Sequence, residues 1–245
     1  MKKFIYLALA IAMTACATPK GEEQTTVGGS IEIVPATRGE VTDTTEGKTT
    51  IAVPAVEDLA VEITGNNQTH TWPTLADYNA EAAQGVWFHS SAHTVTLTYG
   101  TLGEEGYNKP YFKGSTTVEV PGYKLSVEAQ VEVALANSII AIDTTPEFDG
   151  YFQQSTPKFT IKGIEWDAES QEMLFLNEGT TTITCEVVKP SGNPQTLTAE
   201  VTLKPSTRHT VVFDLDTAGS LTVTVRFDNQ IVEVVEKDFE MNDNA

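Results

Sequence analysis

"TTTITCEVV", residues 180–188, alternates without a break: Ile183, Cys185 and Val187 fall on one side of an extended chain, and Thr182, Thr184 and Glu186 on the other. A period of two, carried by threonine and β-branched aliphatics, is the pattern of a half-buried β-strand. It recurs in both directions. Downstream it is found in "TLTAEVTL" (196–203), "HTVVFDL" (209–215), "SLTVTVRF" (220–227) and "QIVEVVE" (230–236). Upstream it is found in "SIEIV" (30–34), "TTIAV" (49–53), "LAVEI" (59–63), "HTVTLTY" (93–99), "STTVEV" (115–120), "LSVEAQVEVAL" (125–135) and "KFTIKGI" (158–164). One segment, "TLADYNAEAA" (74–83), reads as a helix: Thr74 can cap it, Asp77 stands three residues on, Leu75, Tyr78 and Ala82 share a face, and Gly85 ends it. A further helical turn fits "PEFDGYF" (146–152).

About a dozen strands with short connections and no strand–helix–strand rhythm predict an all-β chain: two antiparallel Greek-key β-sandwich domains in tandem, with one short helix near 75–84. The long run ending at Leu135 sets the seam, giving an N-terminal sandwich over 29–136 and a C-terminal one over 137–236, followed by an acidic tail at 237–245.

The first 28 residues are of another kind. Lys2 and Lys3 precede an apolar run from Phe4 to Met13, about ten residues where a spanning helix needs about twenty. That is the core of a signal peptide, assigned to 1–15. Met13, Thr14 and Ala15 lead directly into Cys16 and resemble a bacterial lipobox, with Met13 where leucine is usual. The resemblance implies that the Cys16 thiol receives a lipid and that cleavage makes it the new N-terminus. Two or three acyl chains hold far better than one, each buried methylene adding about 0.8 kcal/mol. Residues 16–28, polar and without periodicity, read as a flexible tether.

The formal net charge is −19, and losing Lys2 and Lys3 makes the mature chain two charges more negative. This excludes nucleic acid as a partner. It also opposes spreading of the body on anionic lipid, so the acyl chains are expected to supply the membrane contact. Cys185, left without a second cysteine, reads as a small buried hydrophobe.

"KPYFKGSTTVEV" (109–120), "VEVALANSIIAID" (131–143) and "TLKPSTRHTVVFDLDTAGSLTVTV" (202–225), in that order behind the lipobox, resemble a Bacteroidetes lipoprotein family whose domain has no assigned function. That family is similar to the fimbrillins, two-domain β-sandwich lipoproteins that build surface pili. The resemblance implies a lipid-anchored protein of the outer membrane, and Glu22 and Glu23 in "TPKGEE" (18–23), soon after Cys16 though behind Lys20 and Gly21, resemble the acidic export signals of Bacteroidetes surface lipoproteins and predict that it faces the cell surface. The family resemblance also implies arginine-directed cleavage after the first strand, which maps onto Arg38–Gly39 in "IVPATRGEV" (33–41), read as an exposed loop. Removal of residues 16–38 would open a groove for other pilin-like subunits to fill by strand addition. The run "QIVEVVEKDF" (230–239) is then either the donated strand or the last strand of the second domain.

No enzymatic motif is present, neither G-x-S-x-G, P-loop, G-x-G-x-x-G nor H-E-x-x-H, and the chain reads as a non-enzyme without cofactor or metal. His89 and His93 sit in a loop running into a strand, where residues four apart are about 13 Å apart, too far for one zinc ion. His70 and His209 read as surface or edge residues. "DLDTAG" (214–219) starts like a calcium loop but has Ala218 and Val225 where ligands belong. Glu104–Glu105 and Asp167–Glu169 are paired acids of the kind a glycosidase uses, and equally of the kind an acidic surface carries. Trp72, Trp87, Trp166, Tyr107 and Tyr111 could stack on sugars, so a surface glycan-binding lipoprotein is the alternative to a structural or adhesive subunit. Asp-Thr-Thr/Ala at 43–45, 143–145 and 216–218 resembles an O-glycosylation pattern of the same bacteria, with Thr44, Thr144 and Thr217 as acceptors.

Overall fold

The computed structural model describes residues 28–216 and 222–235. In chain order the elements are β1 (Ser30–Arg38), β2 (Glu40–Asp43), β3 (Gly47–Thr50), a 3-10 turn (Val56–Asp58), β4 (Ala60–Gly65), β5 (Gln68–Trp72), α1 (Leu75–Ala82), β6 (Ala92–Tyr99), β7 (Gly106–Tyr107), β8 (Phe112–Glu119), β9 (Ser126–Leu135), β10 (Ser138–Thr144), α2 (Pro146–Tyr151), β11 (Lys158–Ile161), β12 (Ile164–Glu165), β13 (Leu174–Leu176), β14 (Gly179–Val188), β15 (Pro194–Leu203), β16 (Thr207–Asp216), β17 (Thr222–Phe227) and β18 (Gln230–Val235).

Three sheets result. The first has the order β1-β9-β8-β6-β4-β5, the second β18-β17-β16-β10-β13-β7, and the third β12-β11-β14-β15; the β2–β3 hairpin joins the second through β16. Most neighbours are antiparallel, as the short connections require. Among the described residues three pairs are parallel: β1 with β9, β10 with β16, and β2 with β16. The expectation of purely antiparallel sheets therefore fails, for a specific reason. Hairpin connections dictate the sense of consecutive strands only, and β1 and β9 are separated by seven others, as β10 and β16 are by five.

The two halves are also built differently. In the second, the alternating apolar residues of two facing sheets form one core: Val211, Phe213 and Leu215 from β16 and Val223 and Val225 from β17 meet Ile183, Cys185 and Val187 from β14 and Leu197, Ala199 and Val201 from β15. This is a sandwich, closed at one end by α2, whose Phe148 is fully buried. In the first half a single six-stranded sheet packs its inner face on α1, through Leu75 and Tyr78, and on Ile51, Leu59 and Phe88. Val41 of β2 and Ile139 and Phe175 of the second sheet's β10 and β13 join α1 in that core. Helix α1 forms as its sequence dictates: the Thr74 hydroxyl accepts the Asp77 amide at 3.1 Å, and Gly85, at φ +99°, turns the chain away.

Residue 136 does not part the halves cleanly: strands from before it join the second sheet, and side chains from after it join the first core. β2 pairs with β16, β7 pairs with β13, and Ile139 and Phe175 pack in the first core.

Candidate functional site

Among the described residues β1 is an edge strand, bonded on one side only. It runs parallel to β9 over nine register pairs, from Ser30 opposite Ser126 to Arg38 opposite Ala134. Its sequence suits an edge, since Pro35 has no amide to donate. Ile31 and Ile33 turn into the first core, each burial contributing about 1.5–3 kcal/mol. The Tyr78 hydroxyl donates to the Ile31 carbonyl, and burial pushes that phenol up to about 12. The outer half of the strand is more exposed. Arg38 closes it with an ion pair to Glu132 at 2.5 Å, both side chains more than half exposed, an interaction that holds little at the surface.

Arg38 is therefore not in a loop, as the sequence suggested, but is the last paired residue of β1. Gly39 alone separates it from β2, which belongs to a different sheet. The Arg38–Gly39 bond lies in an open groove with Val34, Thr37, Glu40 and Glu132. Gly39 is confined there: a Cβ would come within 2.6 Å of the Ile51 carbonyl oxygen.

Beyond Gly39 the chain is fastened to the second half by a polar cluster. The Asp43 carboxylate, with no side-chain exposure, accepts the Thr45 amide at 2.9 Å, the Thr45 hydroxyl at 2.8 Å, the Glu46 amide at 3.1 Å and Arg208 Nη1 at 3.1 Å. Burial pushes this carboxyl up, but the Thr45 and Glu46 hydrogen bonds and the Arg208 charge outweigh it and hold it below the usual carboxylate range. Beside it, the Thr44 hydroxyl donates to the Arg208 carbonyl at 3.1 Å and to Asp228. His209 is buried. Its Nε2 accepts the Lys204 amide at 2.8 Å, which leaves the ring proton on Nδ1, 2.8 Å from Asp228 Oδ2. The surface or edge reading of His209 is thus overturned. Parity could have found it, because His209 shares a face with Val211, Phe213 and Leu215.

The remaining candidates are dispersed over the body. Glu104 pairs with Lys109 at 2.7 Å and Glu105 with Lys162 at 2.6 Å, so the two acids face separate lysines. Asp214 accepts the Thr145 hydroxyl at 2.7 Å and pairs with Arg226 at 3.1 Å. Among the described residues no group of His, Cys, Asp and Glu is placed to hold a metal, and no helix is long and apolar enough to cross a membrane. The Cys185 thiol is buried, and desolvation, with Glu186 adding to it, pushes it up to about 12. Trp72 and Tyr111 are buried, and Tyr107 and Trp166 stack on each other at 6.4 Å, half-buried. Trp87 stays 46% exposed. Thr144 ends β10, half-buried. β18 lies beside β17 at the edge of its own sheet, with Ile231 and Val232 exposed. Met13, Thr14, Ala15, Cys16, Thr217 and the 237–245 tail lie outside the described residues.

No curated protein matches the chain. Among solved structures, a candidate cell adhesion protein from Bacteroides eggerthii is similar at a TM-score of 0.37 and 10% identity, covering 84% of this chain and 98% of that one. Candidate polysaccharide binding proteins from Bacteroides thetaiotaomicron are similar at 0.41 and 7%, covering 86% and 99%. A candidate cell adhesion protein from Bacteroides uniformis is similar at 0.40 and 10%, covering 86% and 100%. A family described as "Domain of unknown function (DUF4493)" matches residues 29–243, which takes in every described strand, and the chain belongs to that family.

Proposed function

We propose that this protein is a non-catalytic cell-surface lipoprotein, anchored in the outer membrane through acyl chains on Cys16, and a fimbrillin-like structural or adhesive subunit. The observation that carries the reading is the placing of β1. This strand continues directly from the anchored N-terminal segment, covers the edge of β9, and is separated by one residue, Gly39, from a chain held independently by the Asp43 cluster. A cut at Arg38–Gly39 would leave β1 attached by non-covalent contacts only, namely strand pairing, two buried isoleucines, the Tyr78 hydrogen bond, the exposed Arg38–Glu132 pair and the hydrogen bonds at Gly29 and Ser30, while the body kept its own fastening. Other subunits could then fill the vacated edge of β9 with a strand of their own. The main alternative, surface glycan binding, has less support, because four of the five candidate aromatics are buried or half-buried in the body.

Anchoring is tested in cells fed an alkyne fatty acid. The protein should take up the label, Cys16→Ala should abolish it, and protease added to intact cells should digest the protein. Label persisting in Cys16→Ala would overturn the anchor, and protection until lysis would overturn the outward orientation.

A further inference from the structure

The described chain begins at Gly28 and Gly29, held in a slot at one end of the first sheet. Gly29 exchanges hydrogen bonds with Phe88 at 3.0 and 2.8 Å, the Lys124 amide donates to the Gly28 carbonyl at 3.1 Å, and the Ser30 amide donates to the Leu125 carbonyl at 3.0 Å. A Cβ on Gly28 would fall 1.6 Å from the Phe88 oxygen, so glycine is required where the chain passes.

Around this slot stand the largest exposed apolar side chains of the first half's end: Tyr123 at 73%, Leu125 at 58% and Trp87 at 46% exposure. Lys124 Nζ lies 5.9 Å above the Trp87 ring. The turn carrying three of these residues is a hairpin turn closed by the Leu125 amide on the Gly122 carbonyl at 3.4 Å. Its two central residues, Tyr123 and Lys124, have φ of +62° and +60°, a conformation that such turns ordinarily reserve for asparagine and glycine. An aromatic and a basic side chain are thereby held outward at the tip, against backbone preference.

The charge of this end also differs from that of the molecule. The segments meeting there are 28–31, 85–91, the 121–126 turn and the 64–69 hairpin, whose Gly65 packs on the His93 ring. They contain no aspartate or glutamate, in a chain with 34. The repulsion expected between the acidic body and anionic lipid is reduced at this end, where exposed Glu119, opposite Ala92, is the acid beside it.

We propose that this end is a lipid-facing surface, in which Trp87, Tyr123 and Leu125 enter the headgroup layer of the membrane and Lys124 meets lipid phosphate. Tryptophan, tyrosine and lysine are the side chains suited to that layer, each with an apolar body and a polar tip. The inference rests on anchoring at Cys16. Eleven residues lie between Cys16 and Gly28, so whatever their conformation they cannot separate the slot from the acyl chains by more than about 40 Å. The patch surrounds the point where that segment meets the body, so the tether holds it within that distance of the acyl chains. Docked this way, β1 rises away from the lipid and carries Arg38 about 25 Å above it, in reach of a soluble protease.

The test supplies the anchor chemically. Protein of residues 16–245, which retains every described element, is coupled through Cys16 to maleimide lipid in phosphatidylcholine vesicles containing brominated chains; Cys185, fully buried, does not compete. Tryptophan emission should be quenched, the quenching should be lost in Trp87→Phe, and it should fall in Tyr123→Ser/Leu125→Ser with an unchanged circular dichroism spectrum. Equal quenching with and without Trp87 would overturn the proposal. So would Trp87 emission that ignores lipid and responds to soluble polysaccharide, which would assign the patch to carbohydrate. Fatty-acid labelling lost in cells with vesicle quenching intact would remove the anchor alone. Labelling intact with quenching absent would remove the patch alone.

Discussion

Asp43→Ala lowers the stability of the protein by about 2–4 kcal/mol, as denaturant unfolding should show, because it strips charge-assisted partners from several groups at once. The Thr45 and Glu46 amides lose their acceptor and Arg208 loses its counter-charge. The change also alters the response to acid. In the folded protein the Asp43 carboxyl lies below its ordinary value, so below about pH 4 the unfolded chain binds the proton more readily. The stabilisation is complete above that range and is lost as pH falls through the depressed folded value. Asp43→Asn, which keeps the shape and one acceptor, should cost less than alanine and should lack this part of the acid slope. Equal acid slopes in the parent and Asp43→Asn would show that the cluster does not depend on the charge.

Phe213→Ala should be still more damaging. Phe213 has no exposed surface and meets Phe159 at 5.0 Å and Phe148 at 5.9 Å between ring centres, so it joins β16, β11 and α2 in one contact. Removing a buried phenylalanine costs about 3–5 kcal/mol, and in a chain of this size that lowers the melting temperature by roughly 10 °C. Leu102→Ala, at a position 77% exposed, should change it by less than about 0.5 kcal/mol. A Phe213→Ala protein that melts with the parent would mean that the second core does not hold the sandwich together.

Strand positions were largely legible, since the alternation that places Ile183, Cys185 and Val187 inward also buries them. Legibility failed where a strand has no alternation to show. β5 is exposed at Gln68 through His70 and buries only Trp72. In β13 all three residues are buried, which gives no period at all. The reading of "TTIAV" as a strand overshot, since β3 ends at Thr50 and Ile51 turns inward to pack in the first core. "SIEIV" undershot: β1 continues through Pro35 to Arg38, because parallel pairing with β9 stabilises residues whose own side chains are mostly exposed. Partner choice could not be read, because a strand's alternation says which face is buried and nothing about its neighbour. The Asp43 cluster was hidden for the same reason, its members coming from three segments far apart in sequence: 43–46, 204–210 and Asp228.

The central claim is that β1 is a detachable cover on β9, and limited digestion of the folded protein with an arginine-specific protease, followed by electrophoresis without boiling, tests it directly. Of the three arginines, Arg208 is paired with the buried Asp43 and Arg226 with Asp214, whereas Arg38 is held at the end of an edge strand by an exposed ion pair. The account predicts cleavage at Arg38 that spares Arg208 and Arg226, loss of the segment ending at Arg38, and a ladder of denaturant-resistant multimers that Arg38→Ala abolishes. A clean monomer after complete cleavage would contradict it.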